Sequence, residues 1–359
     1  MVSRFERHRP ARRTGAAFHP VRCILPTYML RSIAERGTPA QRAQALQALA
    51  VSERIRGRRE VLGDIAAAAA IGDAAERRSV YDAGHGSRLP GSLVRSEGQK
   101  PVPDVAVNEA YDGTGATWDL YHDAYDRNSI DDHGMPLVST VHYRVAYDNA
   151  FWGGSQMVFG DGDGTLFGRF TACVDVIGHE LTHGVIQYEA SLEYADQPGA
   201  LNESFADVFG SLVKQRSLGQ TAKQADWLIG AGLFGPKVKG KALRSMAAPG
   251  TAYDDPVLGK DPQPADMAHY VKTDEDNGGV HINSGIPNRA FYLAATAIGG
   301  RAWEKAGMVW YVTLRDRLRP GSDFAAAADL TTAVAGELYG PGSTVAKAVK
   351  AAWRKVGVL

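Results

Sequence analysis

The sequence predicts an α+β protein of two lobes, in which a β-rich N-terminal lobe precedes a mainly helical C-terminal lobe. Between residues 79 and 171, glycines, aspartates and prolines separate short apolar runs, as expected of strands joined by turns. After Ala172 the apolar residues recur at helical spacing, most clearly over 289–297 and 303–318. Strands followed by helices favour segregated layers and a cleft between the lobes, with the helix around residue 180 between them at the cleft floor.

The chain is long enough for two domains and a small appendage, because it has 359 residues. We predict an N-terminal segment over 1–55, a β-rich lobe over 75–185 and a helical lobe over 186–359. The alanine- and glutamine-rich stretch 40–50 favours a helix, and 108–127 favours a helix embedded in the β-rich lobe. The arginine-rich stretch 54–60 is interpreted as an exposed linker.

The composition is that of an ordinary soluble protein, with 44% hydrophobic and 22% charged residues. No apolar run approaches the roughly 20 residues that a membrane span requires, which argues against a membrane protein. Residues 1–13 carry arginines but no apolar core behind them, so no standard secretory signal is visible. This pattern indicates a cytoplasmic protein or export by another route. Two cysteines, Cys23 and Cys173, exclude a disulfide framework.

Charge is distributed unevenly although the net charge is zero. Residues 1–60 contain 13 arginines and 4 glutamates, a balance of +9, so the remainder carries −9. A basic N-terminus can indicate nucleic-acid binding, but no interleaved aromatics or recognition motif accompany these arginines. A basic segment docked on an acidic body is the simpler interpretation.

The stretch His179-Glu180-Leu181-Thr182-His183 carries the most chemical information. Residues four apart lie on the same face of an α-helix, so both imidazoles can reach one metal ion. Glu180 is rotated away from that line and could approach a metal-bound water. Five residues can match this zinc-hydrolase pattern by chance, and a helix that merely contains two histidines is the alternative.

Glu203 and Asp207 are the candidates that would complete a zinc site. A catalytic zinc site needs three protein ligands and an open position. Both acidic residues lie opposite an apolar helical stripe, where a solvated face is the ordinary interpretation. Because zinc-binding histidines commonly donate their second N–H to a carboxylate, we predict Glu203 as third ligand and Asp207 as that carboxylate.

From about Tyr81 to the C-terminus the chain resembles the thermolysin-like neutral metalloproteases, and among them the protealysin-type group with a short prosegment. Several separated motifs carry the resemblance together with the HExxH helix: 149–152 (NAFW), 154–164 (GSQMVFGDGDG), 199–203 (GALNE) with Asp207, 243–246 (LRSM) and 276–286 (DNGGVHINSGI). Each motif alone is weak, but their order is specific. The resemblance implies the same two-lobed fold.

The resemblance also implies a catalytic apparatus for peptide hydrolysis. Glu180 would act as general base for zinc-activated water. Tyr194 and His281 match the positions that stabilise the negatively charged intermediate. Asp276 matches the carboxylate that orients this histidine.

Substrate-binding positions are implied in the same way. Asn149 and the Ala150 backbone resemble the edge that pairs with an extended peptide. Arg244 resembles the arginine that binds a substrate carbonyl after the scissile bond, although a surface salt bridge is the alternative. An apolar pocket, which implies cleavage before bulky hydrophobic residues, matches Phe167, Phe170, Val176 and Leu243.

One departure from the family concerns calcium. Asp175 matches a ligand of the double calcium site of many thermolysin-like enzymes, but Lys214 falls where a bridging glutamate is usual. Gln156 replaces another acidic position. A lysine ammonium would stand where the metal would bind, so we predict no structural double calcium site.

Residues 23–30 resemble the apolar proline motif of protealysin-type prosegments, which implies that 1–55 is an intramolecular inhibitor. The Cys23 thiolate could occupy the open zinc position as a switch. The alternative, which we favour, is that Cys23 packs while the hydrophobic residues of 26–30 plug the cleft. Cleavage is expected between Leu49 and Leu62.

A zinc endopeptidase made as a zymogen is therefore the leading hypothesis, with peptides or proteins as substrates. A metallo-aminopeptidase would need an anionic group for the substrate's free amine, for which the sequence shows no motif. A catalytically silent peptide-binding homologue would have no need to retain Glu180, Tyr194 and His281 together.

Overall fold

Six strands form one sheet in the N-terminal half of the computed structural model, which describes residues 22–66 and 75–359. In chain order the strands are β1 (Arg22–Cys23), β2 (Arg78–Asp82), β3 (Ser92–Ser96), β4 (Leu137–Val141), β5 (Ala150–Trp152) and β6 (Met157–Phe159). Their spatial order is β1-β5-β6-β4-β2-β3, in which β2, β4 and β6 run parallel. β1 and β3 close the two edges by antiparallel pairing.

Helices dominate the rest of the chain. They are α1 (Thr27–Arg36), α2 (Pro39–Ala66), α3 (Val105–Asp119), α4 (Val174–Tyr188), α5 (Asp196–Ser217), α6 (Asp276–Asn283), α7 (Gly285–Ile298), α8 (Ala306–Val312), α9 (Phe324–Tyr339) and α10 (Thr344–Lys355). Two short antiparallel ribbons lie between α5 and α6: β7 (Leu228–Ile229) with β8 (Arg244–Ser245), and β9 (Asp254–Asp255) with β10 (Gly259–Lys260). The predicted α+β architecture is confirmed.

α4 and α5 form the centre of the molecule, and two glycines let them approach closely. A Cβ on Gly210 of α5 would lie 2.4 Å from the Asp175 carbonyl oxygen and 3.0 Å from the His179 amide nitrogen. A Cβ on Gly178 of α4 would lie 3.1 Å from the Gly210 Cα. Nearly every residue of α4 is buried, because α3, β5 and α5 cover it. Side chains on the facing sides of α4 and α5 are thereby brought within ligand distance.

Local expectations were met in part. The embedded helix is α3, which Asp104 caps by accepting from the Ala106 and Val107 amides, and a π-helical turn extends it over Leu120–Ala124. The stretch 54–60, predicted to be an exposed linker, has helical backbone, because α2 continues to Ala66. Its arginines, glutamates and leucine are good helix formers, which favours continuation over a break.

The described part of the N-terminal segment starts with β1 in the sheet. Of the predicted segment 1–55, the structure describes only the residues from 22 onward. The prediction that residues 1–13 contain no standard secretory signal therefore lies outside the described residues. Among the described residues, no helix combines the length and apolarity needed to cross a bilayer.

Candidate metal centre and active site

Three side chains from α4 and α5 converge at the cleft floor. His179 and His183 lie one turn apart, with their Nε2 atoms 3.1 Å from each other. The Glu203 carboxylate lies 3.4 Å from each of these nitrogens, through Oε2 to His179 and Oε1 to His183. All three side chains are buried. Their ligand atoms lie within 4.8 Å of one another, so the predicted ligand set is assembled in one place.

The partners of the two imidazoles show that this cluster suits a cation. His179 Nδ1 lies 2.8 Å from Asp207 Oδ1, and His183 Nδ1 lies 3.0 Å from Asn202 Oδ1. Because both acceptors hold the ring protons on Nδ1, the two Nε2 atoms present lone pairs to each other and to a carboxylate. Glu203 Oε2 makes no hydrogen bond despite its burial. Such converging lone pairs fit a zinc ion in a three-ligand site.

Charge within this cluster is strongly coupled. Burial alone would raise the pKa of the Glu203 carboxyl, but His281, His183 and His179, whose imidazoles are cations when both ring nitrogens carry protons, outweigh it and hold that pKa well below its usual range. Glu203 is therefore held as an anion, the form that binds metal.

Glu180 lies beside the cluster, completely buried on α4. Its Oε2 accepts a hydrogen bond of 2.9 Å from the Trp152 amide on β5, and its Oε1 has no hydrogen-bond partner. Burial raises the pKa of this carboxyl to about 8. One oxygen is thus fixed to the sheet while the other remains available to take a proton.

Tyr194 and His281 lie together on the other side of Glu203. The Tyr194 hydroxyl donates to Glu203 Oε1 and lies 3.3 Å from His281 Nε2. Asp276 accepts from both the ring and the backbone of His281, with His281 Nδ1 and N each 2.8 Å from its carboxylate. Nδ1 donates to Asp276, so Nε2 is the nitrogen left to face a ligand. Although burial alone would lower the pKa of this imidazole, Asp276 and Glu203 raise it, which favours a proton on Nε2 as well.

A left-handed turn makes the double contact of Asp276 possible. Residues 276–279 have φ between 53° and 82°, so α6 begins with backbone that asparagine and glycine adopt most readily. At Gly278 a Cβ would also lie 2.2 Å from Asp196 Oδ1. The left-handed backbone that positions His281 therefore favours the sequence Asp276-Asn277-Gly278-Gly279.

Arg244 on β8 is buried, so its interpretation as a surface salt bridge is excluded. It binds Asp207 through two hydrogen bonds, Nε to Oδ2 at 2.8 Å and Nη2 to Oδ1 at 2.7 Å. Asn288 donates a third bond of 2.8 Å to Asp207 Oδ2. Sequence reasoning missed Asn202 and Asn288 as partners, since an asparagine inside a helix carries no signal of its target.

Residues 23–25 lie along the cleft and contact the predicted substrate-binding residues through their main chain. The Ile24 amide donates to the Ala150 carbonyl at 3.3 Å, and the Leu25 amide donates to Asn149 Oδ1 at 3.1 Å. Arg244 Nη1 donates to the Ile24 carbonyl at 3.3 Å. The Cys23 carbonyl oxygen lies 3.3 Å from His281 Nε2. Four separate binding groups thus contact one extended tripeptide.

The Cys23 thiol does not belong to the metal cluster. Its Sγ lies 3.6 Å from the Ser52 Oγ on α2, and it is not among the ligand atoms that group within 4.8 Å. A zinc–sulfur bond of about 2.3 Å would place the sulfur beside both histidine nitrogens. The geometry therefore does not support the zinc-switch hypothesis, and it places the Cys23 main chain rather than its thiol beside the active-site histidine.

The four residues predicted to form an apolar pocket are buried. Phe167 and Phe170 pack with ring centroids 6.0 Å apart, and Val176 and Leu243 are also buried. Leu243 directly precedes β8, and its amide donates to the Ile229 carbonyl of β7 at 2.9 Å. The four residues belong to both lobes.

The Lys214 ammonium lies among two carboxylates and a carbonyl oxygen. Its Nζ lies 3.0 Å from Asp175 Oδ2, 3.0 Å from Asp226 Oδ1 and 2.8 Å from the Leu228 carbonyl oxygen. Gln156, the other residue on which the calcium prediction rested, contacts Thr140 on β4 instead.

Fold and site together define an HExxH zinc peptidase with a β-containing catalytic lobe and a helical lobe. Family models described as "Thermolysin metallopeptidase, catalytic domain" and "Thermolysin metallopeptidase, alpha-helical domain" match residues 68–187 and 190–358. The chain belongs to the thermolysin metallopeptidase family.

Individual relatives place the chain within that family. It is 52% identical over 340 residues to an extracellular metalloprotease of Pectobacterium carotovorum subsp. carotovorum, covering 94% of this chain and 97% of the relative. It is 39% identical over 290 residues to a thermolysin of Alicyclobacillus acidocaldarius, of which it spans 50%. The precursor of protealysin, a metalloproteinase from Serratia proteamaculans, superposes with a TM-score of 0.86 at 55% identity, over 94% of this chain and all of that one. The predicted family, the endopeptidase class and synthesis as a zymogen are confirmed.

Proposed function

We propose that this zinc endopeptidase is held latent by residues 1–55 and cleaves peptides before bulky hydrophobic residues, with His179, His183 and Glu203 as its metal ligands. The proposal rests on one observation above all: the predicted substrate-binding groups contact a single extended tripeptide of the chain itself. Zinc bound there would lower the pKa of its water and polarise the scissile carbonyl.

The chain's own residues supply the proton transfers and the charge stabilisation. Glu180, with one oxygen bound to the Trp152 amide, takes the proton of the attacking water through the other oxygen and returns it to the leaving amine. His281 and Tyr194 lie together on the side of Glu203 and stabilise the developing oxyanion. Asp276 keeps His281 in position.

The contacts of Ile24 support the specificity for a bulky apolar residue. Its amide and carbonyl bind Ala150 and Arg244, while the preceding Cys23 carbonyl lies at His281. This arrangement corresponds to a substrate in which Ile24 follows the scissile bond. The apolar pocket of Phe167, Phe170, Val176 and Leu243 would bind the corresponding substrate side chain.

Latency follows from the same contacts. The N-terminal segment adds β1 to the sheet at β5, which is the edge a substrate would use. α1 then extends over the helical lobe, where Ser32 Oγ donates to the Val257 carbonyl at 2.8 Å. We propose the boundaries 1–55, 75–185 and 186–359 for the prosegment and the two catalytic lobes, with activation by cleavage between Leu49 and Leu62.

We also propose that peptides and proteins are the partners, and that nucleic acids and membranes are not. Two relatives, from Pectobacterium carotovorum and Serratia marcescens, are named extracellular, which favours export over a cytoplasmic role.

A blocked peptide with leucine after the scissile bond tests the catalytic proposal. We expect hydrolysis by the processed enzyme, abolition by a chelator, and a loss of at least about a thousandfold in kcat for Glu180→Gln with zinc content unchanged. The same peptide with glycine at that position is the specificity control. Cleavage only of peptides with a free amine would instead indicate an aminopeptidase, and no cleavage after removal of the prosegment would indicate a silent homologue.

The calcium proposal has a separate test. Because the Lys214 ammonium already neutralises Asp175 and Asp226, we propose that no double calcium site exists, and added calcium should leave the thermal midpoint unchanged. Lys214→Met should lower stability by about 3 kcal/mol, since it leaves the buried Asp175 unpaired. Two tightly bound calcium ions per chain in a titration would contradict the proposal.

A further inference from the structure

A second histidine–carboxylate cluster lies away from the active site, at the carboxyl ends of three adjacent parallel strands. His85 follows β2 by three residues, His142 follows β4 directly, and Asp161 follows β6 by two. β2, β4 and β6 are neighbours in the sheet and run in the same direction, so the loops that follow them meet at one edge. Topology therefore gathers three residues that are far apart in the sequence.

The spacing within this cluster is that of a ligand set. His142 Nδ1 lies 2.9 Å from Asp161 Oδ2, and His85 Nδ1 lies 3.6 Å from the same oxygen. One ligand atom from each residue falls within 4.8 Å of the others, the same limit that describes His179, His183 and Glu203. No other trio of potential ligands in the described residues meets it.

A further carboxylate orients His142 in the way that Asp207 orients His179. Asp104 Oδ2 lies 2.8 Å from His142 Nε2, on the opposite side of the ring from Asp161. Asp104 Oδ1 is itself held by the Ala106 and Val107 amides, at 2.9 and 3.3 Å, where it caps α3. A proton shared with Asp104 leaves Nδ1 as the atom that faces the cluster.

We propose that His85, His142 and Asp161 bind a divalent transition metal of the zinc type, at a site distinct from the catalytic one. Two imidazoles and one carboxylate favour such an ion over calcium or magnesium, which take oxygen ligands. The His85 side chain is 56% exposed, so the ion can enter from solvent and keep water in its remaining positions.

Hydrogen bonding within the protein accounts for the position of His142 but not for that of His85. An imidazole between Asp104 and Asp161 is satisfied by these two carboxylates alone. The His85 side chain nevertheless lies near Asp161 Oδ2, the oxygen that also contacts His142. The backbone of His85 has a φ of 59°, and its amide donates to the His142 carbonyl at 2.9 Å. A metal ion shared with Asp161 would account for the approach of this exposed side chain to the cluster.

The site would brace the sheet edge behind the substrate-binding strand. Asp161 follows Gly160, whose amide donates to the Asn149 carbonyl at 3.0 Å. A metal ion would therefore fix the loops after β2, β4 and β6 to one another next to the cleft. The expected consequence is higher thermal stability without a change of chemistry.

Zinc stoichiometry of the full-length chain tests the proposal. The chain is stripped of metal, dialysed against zinc at about pH 8 and analysed by atomic emission, together with His85→Asn, Asp161→Asn and the control His269→Asn. Asparagine tolerates left-handed backbone, and His269 is an exposed histidine beside Asp266. We expect each of the first two variants to bind one zinc ion fewer than the parent, and the control to bind the same number.

Thermal unfolding and activity complete the test. Zinc added to enzyme already loaded at its catalytic site should raise the thermal midpoint of the parent and the control but not of His85→Asn, which should hydrolyse peptides at the parental rate. Equal zinc content in His85→Asn and the parent would overturn the proposal. Displacement of the additional ion by an equal concentration of calcium would overturn its assignment to the zinc type.

Discussion

Asp207 connects the metal ligands to the substrate-binding groups through one carboxylate. It accepts from His179 on α4, from Arg244 on β8 and from Asn288 on α7. Arg244 in turn donates to the Ile24 carbonyl in the cleft. Burial would raise the pKa of Asp207, but Arg244 and His179 outweigh it and lower that pKa to about 2. The residue is therefore an anion that positions a metal ligand and a substrate-binding arginine together.

Asp148 gives a residue-scale prediction about pH. Burial, followed by the nearby Asp163, raises the pKa of this carboxyl to about 8, whereas an unfolded aspartate titrates near 3.9. Since the folded state keeps the proton over this interval, raising the pH from about 4 to 8 lowers the stability of the fold. Asp148→Asn keeps an acceptor for the Asp163 amide and should raise the free energy of unfolding by at least about 1 kcal/mol at pH 7.

The gain from Asp148→Asn should shrink as the pH falls toward about 4, because the unfolded aspartate then also takes up a proton and is about half protonated at that pH. Thermal midpoints of the prosegment-bound chain at pH 4.5 and pH 7 measure it. Asp254→Asn, at an exposed position, is the matched control and should change stability by less than about 0.5 kcal/mol at either pH. A destabilised Asp148→Asn at pH 7 would show that Asp148 is charged in the fold.

At the scale of elements, the close approach of α4 and α5 determines the ligand geometry. The two helices supply His179, His183 and Glu203, and also the orienting groups Asn202 and Asp207. Because Gly210 lies against the backbone of α4, a change in helix separation moves Glu203 relative to both histidines.

Gly210→Ala tests this element-scale account. The added Cβ would lie 2.4 Å from a backbone oxygen of α4, which cannot rotate away, so the helices must separate. We expect a loss of about 1–3 kcal/mol in stability and at least a tenfold faster loss of zinc to a chelator. Gly336→Ala in α9, where the new Cβ would meet its nearest neighbour at 3.5 Å, should leave zinc release unchanged. If both variants lost zinc at the same rate, the distance between α4 and α5 would not determine how tightly zinc is bound.

At the scale of the whole molecule, the N-terminal segment spans the cleft between the lobes. Gln41 Nε2 donates to Thr165 Oγ1 in the β-rich lobe at 3.3 Å, while Arg31 lies 3.4 Å from Glu275 in the helical lobe. Ile24, Leu25 and Met29 of the same segment are buried. The exposed ion pair contributes little, and the buried apolar residues supply most of the docking free energy.

The proposed mode of latency depends on the main chain of Cys23 and not on its thiol. Cys23→Ser should leave freshly purified full-length chain as inactive as the parent, since its contact with His281 is through the carbonyl. Ile24→Glu should release activity, because it buries an unpaired charge where the pocket favours an apolar side chain. The initial rate of blocked-peptide hydrolysis before self-cleavage measures both. A Cys23→Ser variant as active as Ile24→Glu would restore the thiol as the blocking group.

Several features follow from the sequence because they depend on local spacing. The four-residue step between His179 and His183 places both on one helical face, and the apolar stripe opposite Glu203 and Asp207 predicts their common side. The change from turn-separated apolar runs to helical periodicity near Ala172 predicts the two lobes, which the fold confirms. The family motifs supplied the roles of distant residues such as His281, and those roles remain predictions.

Tertiary structure alone decided which distant groups meet. Local periodicity determines the face of a helix or strand on which a residue lies, but packing between elements determines what that face contacts. The sequence therefore determined the metal-binding helix and its carboxylates. Only the packed fold showed that Arg244 binds Asp207, that Lys214 pairs with Asp175, and that the Cys23 carbonyl lies at the active-site histidine. It also brought His85, His142 and Asp161 together, since parallel strands align the ends of segments that are far apart in the chain.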